Sequence, residues 1–183
     1  MNPNEALITK FYTAFANADA KTMSECYHPK VHFIDPAFGL LKEEQVSKMW
    51  EMLLLKSKGK LKIEFSNVKA DDSTGSANWT ATYNFSKTNR EVINKISAEF
   101  IFQDGLIIKH TDNFDVWKWS KQAFGLTGYL LGWTGFFQKK VQAQALSALR
   151  QFQKANKTAQ SIFRILYIIC LRSIIIILLL KFY

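Results

Sequence analysis

Ala77, Trp79, Ala81, Tyr83 and Phe85 alternate without a break with Asn78, Thr80, Thr82 and Asn84. Such a strict period of two is the pattern of a strand with one face buried and one in water. It commits the middle of the chain to a half-buried antiparallel sheet. Neighbouring segments extend the pattern. Leu61, Ile63 and Phe65 alternate with Lys62, Glu64 and Ser66, and Asp71-Asp72-Ser73-Thr74-Gly75 reads as the turn between the two strands. A further strand over 92–102 meets Gln103-Asp104-Gly105, where Asp-Gly is a strong hairpin signal. The last strand is expected over 106–119.

The first third reads differently. Leu7, Ile8, Phe11 and Phe15 recur at helical spacing over 4–17, with Asn4 as the expected N-cap and Glu5 in the first turn. A second short helix is expected over 20–27, stopped before Pro29. Val31–Ile34 reads as a short strand, Pro36–Gly39 as a turn, and 42–56 as a third helix carrying Val46, Met49, Trp50, Leu53 and Leu54 on one face. The expected order is α-α-β-α-β-β-β-β, an α+β domain over 1–120.

Charge marks where that domain ends. Residues 1–115 hold 14 Lys/Arg and 15 Asp/Glu, a net of −1, whereas 116–183 hold 10 Lys/Arg and no acid, a net of +10; together they make the +9 of the chain. The boundary falls near Trp117–Lys121. Beyond it, 121–160 is a Gly-interrupted apolar segment followed by a basic helix with a stripe of Val141, Ala145, Ala148, Leu149, Phe152 and Ala155. Residues 161–183 form an apolar tail. Its stretch 162–180 spans about 28 Å as a helix, near the hydrocarbon thickness of a bilayer, with Arg172 as the costly residue. Three readings of 162–180 stand side by side: membrane contact, a helix packed on the domain or on a second copy, and an atypical extension outside the domain pattern. Basic residues diluted among aliphatics suit an anionic membrane better than nucleic acid, which is not expected as a partner.

The two cysteines, Cys26 and Cys170, make neither a disulfide framework nor a zinc site, and no CxxC, HExxH, Walker loop or GxGxxG is present. No cofactor and no metal is expected. The first residues lack the basic and apolar regions of a signal peptide, so a cytoplasmic domain is expected.

Two polar clusters interrupt apolar strands. Asp35 closes Val31-His32-Phe33-Ile34-Asp35-Pro36, where an apolar setting would raise its pKa and fit it to take a proton from carbon or water. An Asp before Pro also caps turn amides. His110 and Asp112 share one face of the last strand, and Asp115 falls on the other unless a bulge intervenes. A His–Asp pair is an acid/base element or a satisfied buried pair. Tyr12 is an oxyanion donor or a core tyrosine.

The element order, together with Phe11–Asp19, Phe33-Ile34-Asp35-Pro36 and Gly105–Asp115, resembles the nuclear transport factor 2-like superfamily over about residues 4–120, and within it the SnoaL-like and ketosteroid isomerase-like proteins. The resemblance implies a curved antiparallel sheet wrapped on three helices as a cone with an apolar pocket. It implies a small apolar molecule as ligand, and a cofactor-free isomerase, cyclase or hydrolase or else a non-catalytic binding or dimerisation module; homodimers are frequent. It matches Asp35 before Pro36 to the isomerase base, and Tyr12, five residues before Asn17, to the oxyanion donor. The third member would fall near Ala98 and is absent, which argues against steroid isomerisation. Asp112 or Asp115 matches the acid/base Asp of the SnoaL-like group.

Overall fold

The structure is a computed structural model that describes residues 2–180; the side chains of residues 160, 163–166 and 168–180 lie outside the described residues. Helices α1 (Pro3–Ala16) and α2 (Ala20–Glu25) lead into strands β1 (Tyr27–Asp35) and β2 (Gly39–Lys42), then helix α3 (Glu44–Ser57). Strands β3 (Lys62–Ala70), β4 (Thr74–Phe85), β5 (Arg90–Gln103) and β6 (Leu106–Asn113) follow, and α4 (Val116–Phe124), α5 (Leu126–Leu131) and α6 (Gly135–Leu180) close the chain.

The six strands form one sheet in the order β2-β1-β6-β5-β4-β3. Neighbours from β6 to β3 pair antiparallel, as the alternation requires, but β1 lies parallel to β6, so the sheet is mixed. At the β5–β6 turn both Asp104 (φ 54°) and Gly105 (φ 73°) take the left-handed conformation that a two-residue hairpin demands. The first helix starts two residues earlier than expected. Asn2 is its cap, accepting from the Asn4 amide at 2.8 Å, because Pro3 supplies a ready first-turn residue; the Asn4 side chain instead donates to the Asp71 carbonyl at 2.8 Å.

One face of the sheet is packed. Phe11, Tyr12 and Phe15 from α1, Met49 and Trp50 from α3, and Phe33, Trp79, Phe100 and Ile107 from the strands meet there, all buried. The other face carries Glu99, Ile101, Lys109 and Thr111. Burial alternates along β4 and β5 as the sequence predicts.

The last strand ends six residues earlier than expected. Asp115 caps α4, its Oδ1 accepting from the Lys118 amide at 2.9 Å, so 116–119 turn into helix rather than continuing β6. Trp119 and Ala123 then bury against Val92. Where β6 stops, Gln122 takes its place beside β5: its Oε1 accepts from the Ile93 amide at 2.7 Å and its Nε2 donates to the Ile93 carbonyl at 3.2 Å.

The stripe on the basic helix is seated. Leu149 is buried in the main core, with Ala145, Leu146, Ala148 and Phe152 packed around it, and α6 lies against α3. It also reaches the β1–β2 turn, where a Cβ on Gly39 (φ +71°) would sit 2.9 Å from the Gln142 amide nitrogen. Among the described residues no helix is long and apolar enough to cross a membrane. Membrane contact through 162–180, like its two alternatives, falls on side chains outside the described residues, apart from Ile162 and Tyr167, which are exposed.

Candidate functional site

Strands β1 and β6 carry the candidate residues to one place. In their parallel register Phe33 stands beside His110 and Ile34 beside Thr111. Asp35 follows Phe33 by two residues and Asp112 follows His110 by two, so both carboxylates project from the packed face at the same end of the sheet. Irregularity in β6 helps to aim them. Ile101 pairs with Lys109 and Phe102 with Ile107, which leaves Ile108 as the extra residue of a bulge and lets Ile107 and His110 both point inward.

His110 is 0% exposed and Asp112 3%. The ring of His110 lies among Phe11, Phe33, Trp50 and Phe100, the last with centroids 4.4 Å apart. Both of its nitrogens are engaged. Nδ1 meets the Tyr27 hydroxyl at 2.7 Å and Nε2 meets Asp112 Oδ1 at 3.1 Å. An ionised Asp112 can only accept, so a neutral His110 donates through Nε2–H; its Nδ1 then accepts from the Tyr27 hydroxyl. Tyr27 in turn accepts from Trp50 Nε1 at 3.0 Å, and Asp112 Oδ1 accepts a second bond from Trp79 Nε1 at 3.1 Å. The chain Trp50–Tyr27–His110–Asp112–Trp79 is a closed polar network inside an aromatic core. It leaves His110 no free nitrogen and leaves Asp112 Oδ2 without a hydrogen bond from a described residue.

Asp35 is half-buried at the end of β1. One carboxylate oxygen accepts from the Phe38 amide at 2.5 Å, the turn-capping arrangement. Burial nevertheless dominates: it pushes the carboxyl up, the Phe38 amide pulls it down, the negative Asp112 pushes it up again, and the result is about 7. Tyr12 is fully buried, stacked on Phe65 and close to Trp79, and its hydroxyl has no hydrogen-bond partner among the described residues. Burial, then the charge of Asp112, hold its pKa well above the usual tyrosine value, so it stays a proton donor.

The structure thus brings Asp35, Asp112, His110 and Tyr12 to the packed face. Asp115 stands apart, exposed at the start of α4 as its cap. Ala98, opposite Asp112 in the β5–β6 ladder, is buried, while Glu99 points to the outer face, as strand alternation predicts. Tyr27 is the member that sequence reasoning missed. Its only signal is a tyrosine opening the strand that ends in Asp35, and nothing in the linear order places it 83 residues away against His110. Trp50 and Trp79, which the sequence places on an apolar helix face and on the apolar face of a strand, are donors in the network as well as packing.

A depression of about 790 Å³ lies on the outer face of the sheet beside Glu5, Lys69, Thr74, Glu99 and Lys109, and none of the candidate residues lines it. Among the described residues no group of His, Cys, Asp and Glu has an arrangement that could hold a metal ion.

The fold is shared with solved structures of low sequence identity. A protein from a soil-derived mobile gene cassette, Bal32a, superposes with a TM-score of 0.59 at 19% identity, over 66% of this chain and 95% of that one. TerC, crystallised with polyporic acid, gives 0.57 at 14% over 67% and 98%. An epoxide hydrolase of the LEH-like type from M. tuberculosis gives 0.52 at 19% over 70% and 96%. None of the curated protein sequences matches this chain. The SnoaL-like domain model matches residues 8–110, more than half of the chain, with the whole of β1 and β6 as far as His110. The chain belongs to the SnoaL-like domain family of the nuclear transport factor 2-like superfamily.

Proposed function

We propose that the protein binds a small, mostly apolar molecule on the packed face of the sheet and exchanges a proton with it through Asp35. Two observations carry this reading: a half-buried carboxyl pushed up to about 7, and a buried tyrosine hydroxyl with no partner among the described residues, the charge of Asp112 acting on both. A carboxyl near 7 is divided between acid and base at neutral pH, which is the condition for general acid–base work. A buried donor without an acceptor costs about 1–3 kcal/mol, and a ligand carbonyl or epoxide oxygen placed there would recover it. In this scheme Asp35 takes a proton from a carbon or a water, Tyr12 donates to the oxygen on which charge develops, and the His110 network fixes Asp112 beside them. The reaction class is isomerisation, cyclisation or hydrolysis. Family membership supports the fold of such a pocket, and the neighbours crystallised with polyporic acid or named as epoxide hydrolases are of that chemical kind.

A second reading is favoured by a specific observation. The rings around His110 fill the interior, and His110 itself is saturated. On that reading the polar network holds the core together and the protein is a non-catalytic module. A thermal-shift screen of apolar carbonyl and epoxide compounds on the full chain, repeated on Asp35→Asn, separates the two. The first reading expects a compound whose stabilisation changes with the substitution, followed by turnover. No binder to either protein favours the second.

A further inference from the structure

Helix α5 is built inside out. Gly128 is buried against α4, where a Cβ would lie 1.8 Å from the Ser120 carbonyl oxygen, and a Cβ on Gly132 would lie 2.5 Å from the Ser120 Cβ. The glycines, four residues apart, let α5 lie directly on α4. The small residues therefore point in, and large apolar side chains of α5 and of its junction with α6 point out. Leu126 is 74% exposed, Trp133 66% and Phe136 76%, with Tyr129 and Leu130 also more than half exposed. Scattered exposed apolar residues are ordinary, but Leu126, Tyr129 and Leu130 on α5, Trp133 in the α5–α6 turn and Phe136 at the start of α6 fall within one short stretch of chain, a concentration that calls for a partner.

Along the chain from Val116 onward every charged side chain is basic, Asp115 at the α4 cap being the last acid. Lys118 and Lys121 precede this stretch on α4, the latter with its ammonium 3.9 Å over the Trp117 ring, and Lys139 and Lys140 follow Phe136 by one turn of α6. Aromatic and aliphatic side chains rimmed by lysines, with no acid in reach along the segment, are the composition of an element lying in the plane of an anionic lipid surface. Tyrosine and tryptophan suit the boundary between headgroup and hydrocarbon.

We propose that the junction of α4, α5 and the start of α6 is a membrane-surface contact. Leu126, Leu130, Trp133 and Phe136 enter the interface of an anionic bilayer, and Lys118, Lys121, Lys139 and Lys140 engage its headgroups. This contact is separate from the apolar stretch 162–180 and independent of the Asp35 site.

Vesicle flotation of the full chain tests it, with phosphatidylcholine alone and with phosphatidylcholine–phosphatidylserine mixtures. The tail is left intact in every variant. The expected result is binding to the anionic vesicles that drops about tenfold or more in Leu130→Ser/Trp133→Ser/Phe136→Ser, and several-fold in Lys139→Glu/Lys140→Glu on anionic vesicles only. Quenching of tryptophan fluorescence by brominated lipid is the second readout and is expected to fall markedly in Trp133→Phe, a change small enough to leave folding intact. Binding and quenching unchanged in these variants would overturn the proposal and leave any membrane affinity to the tail. A dimer without vesicle binding, broken by the triple substitution, would overturn it in favour of an interface between two copies.

Discussion

Asp35 is held between opposing effects, and its titration reaches into stability. Its carboxyl lies at about 7 in the folded chain against an ordinary value of 3.8. Between those values the folded state binds the proton that the unfolded state has released, so the contribution of Asp35 falls as pH rises through that window and is an outright penalty above it. Asp35→Asn removes the ionisation and keeps an acceptor for the Phe38 amide. We expect it to raise stability at pH 8 by about 1–3 kcal/mol and to lose that advantage near pH 4, read from urea unfolding at both pH values. An equal effect at both would mean that the carboxyl is not buried enough to matter. Two tyrosines offer a matched contrast. Tyr12→Phe deletes a hydroxyl with no partner among the described residues and is expected to leave the denaturation midpoint unchanged or slightly higher. Tyr27→Phe deletes a hydroxyl bonded to both His110 and Trp50 and is expected to cost about 1–3 kcal/mol.

At the scale of elements, what a strand or helix shows in its own residues was readable and what depends on a distant partner was not. Trp79 and its alternating neighbours specify β4 locally, and Asp104-Gly105 specifies the β5–β6 hairpin. The parallel pairing of β1 with β6 joins residues 77 to 80 positions apart through side chains that carry no mark of it, so Tyr27 could not be connected to His110. Phe114–Trp119 fails for a different reason. Its aromatic run suits a strand, but the Asp115 carboxylate offers the first helical amides an acceptor, and that local bond prevails. Asp115→Ala is accordingly expected to cost about 0.5–2 kcal/mol through loss of the cap and to leave any ligand shift mediated by Asp35 unchanged, which thermal shift with and without the ligand would show. Gln122→Ala, which strips the amide that completes β5, is expected to raise hydrogen exchange at Ile93 with little change elsewhere.

Across the whole molecule, the charge boundary near Trp117 separates two compositions, yet α6 packs into the core of the first. Leu149 of α6 lies 2% exposed in the same core as Phe33 and Trp50, and Gln142 covers the turn that holds Asp35. The sequence shows the stripe on α6 but not what the stripe packs against. Leu149→Ala is expected to destabilise the protein by about 2–4 kcal/mol in a single cooperative transition. Two separate transitions would mean that α6 is only an appendage. The extension thus reaches the turn that Asp35 opens, and the reading of that site rests on Asp35 being poised at neutral pH. The most direct test is the pH titration of the Asp35 carboxyl carbon by NMR, assigned by its disappearance in Asp35→Asn. A midpoint near 7 is the predicted result; a midpoint near 4 would contradict the account, leaving Asp35 as a turn cap and nothing more.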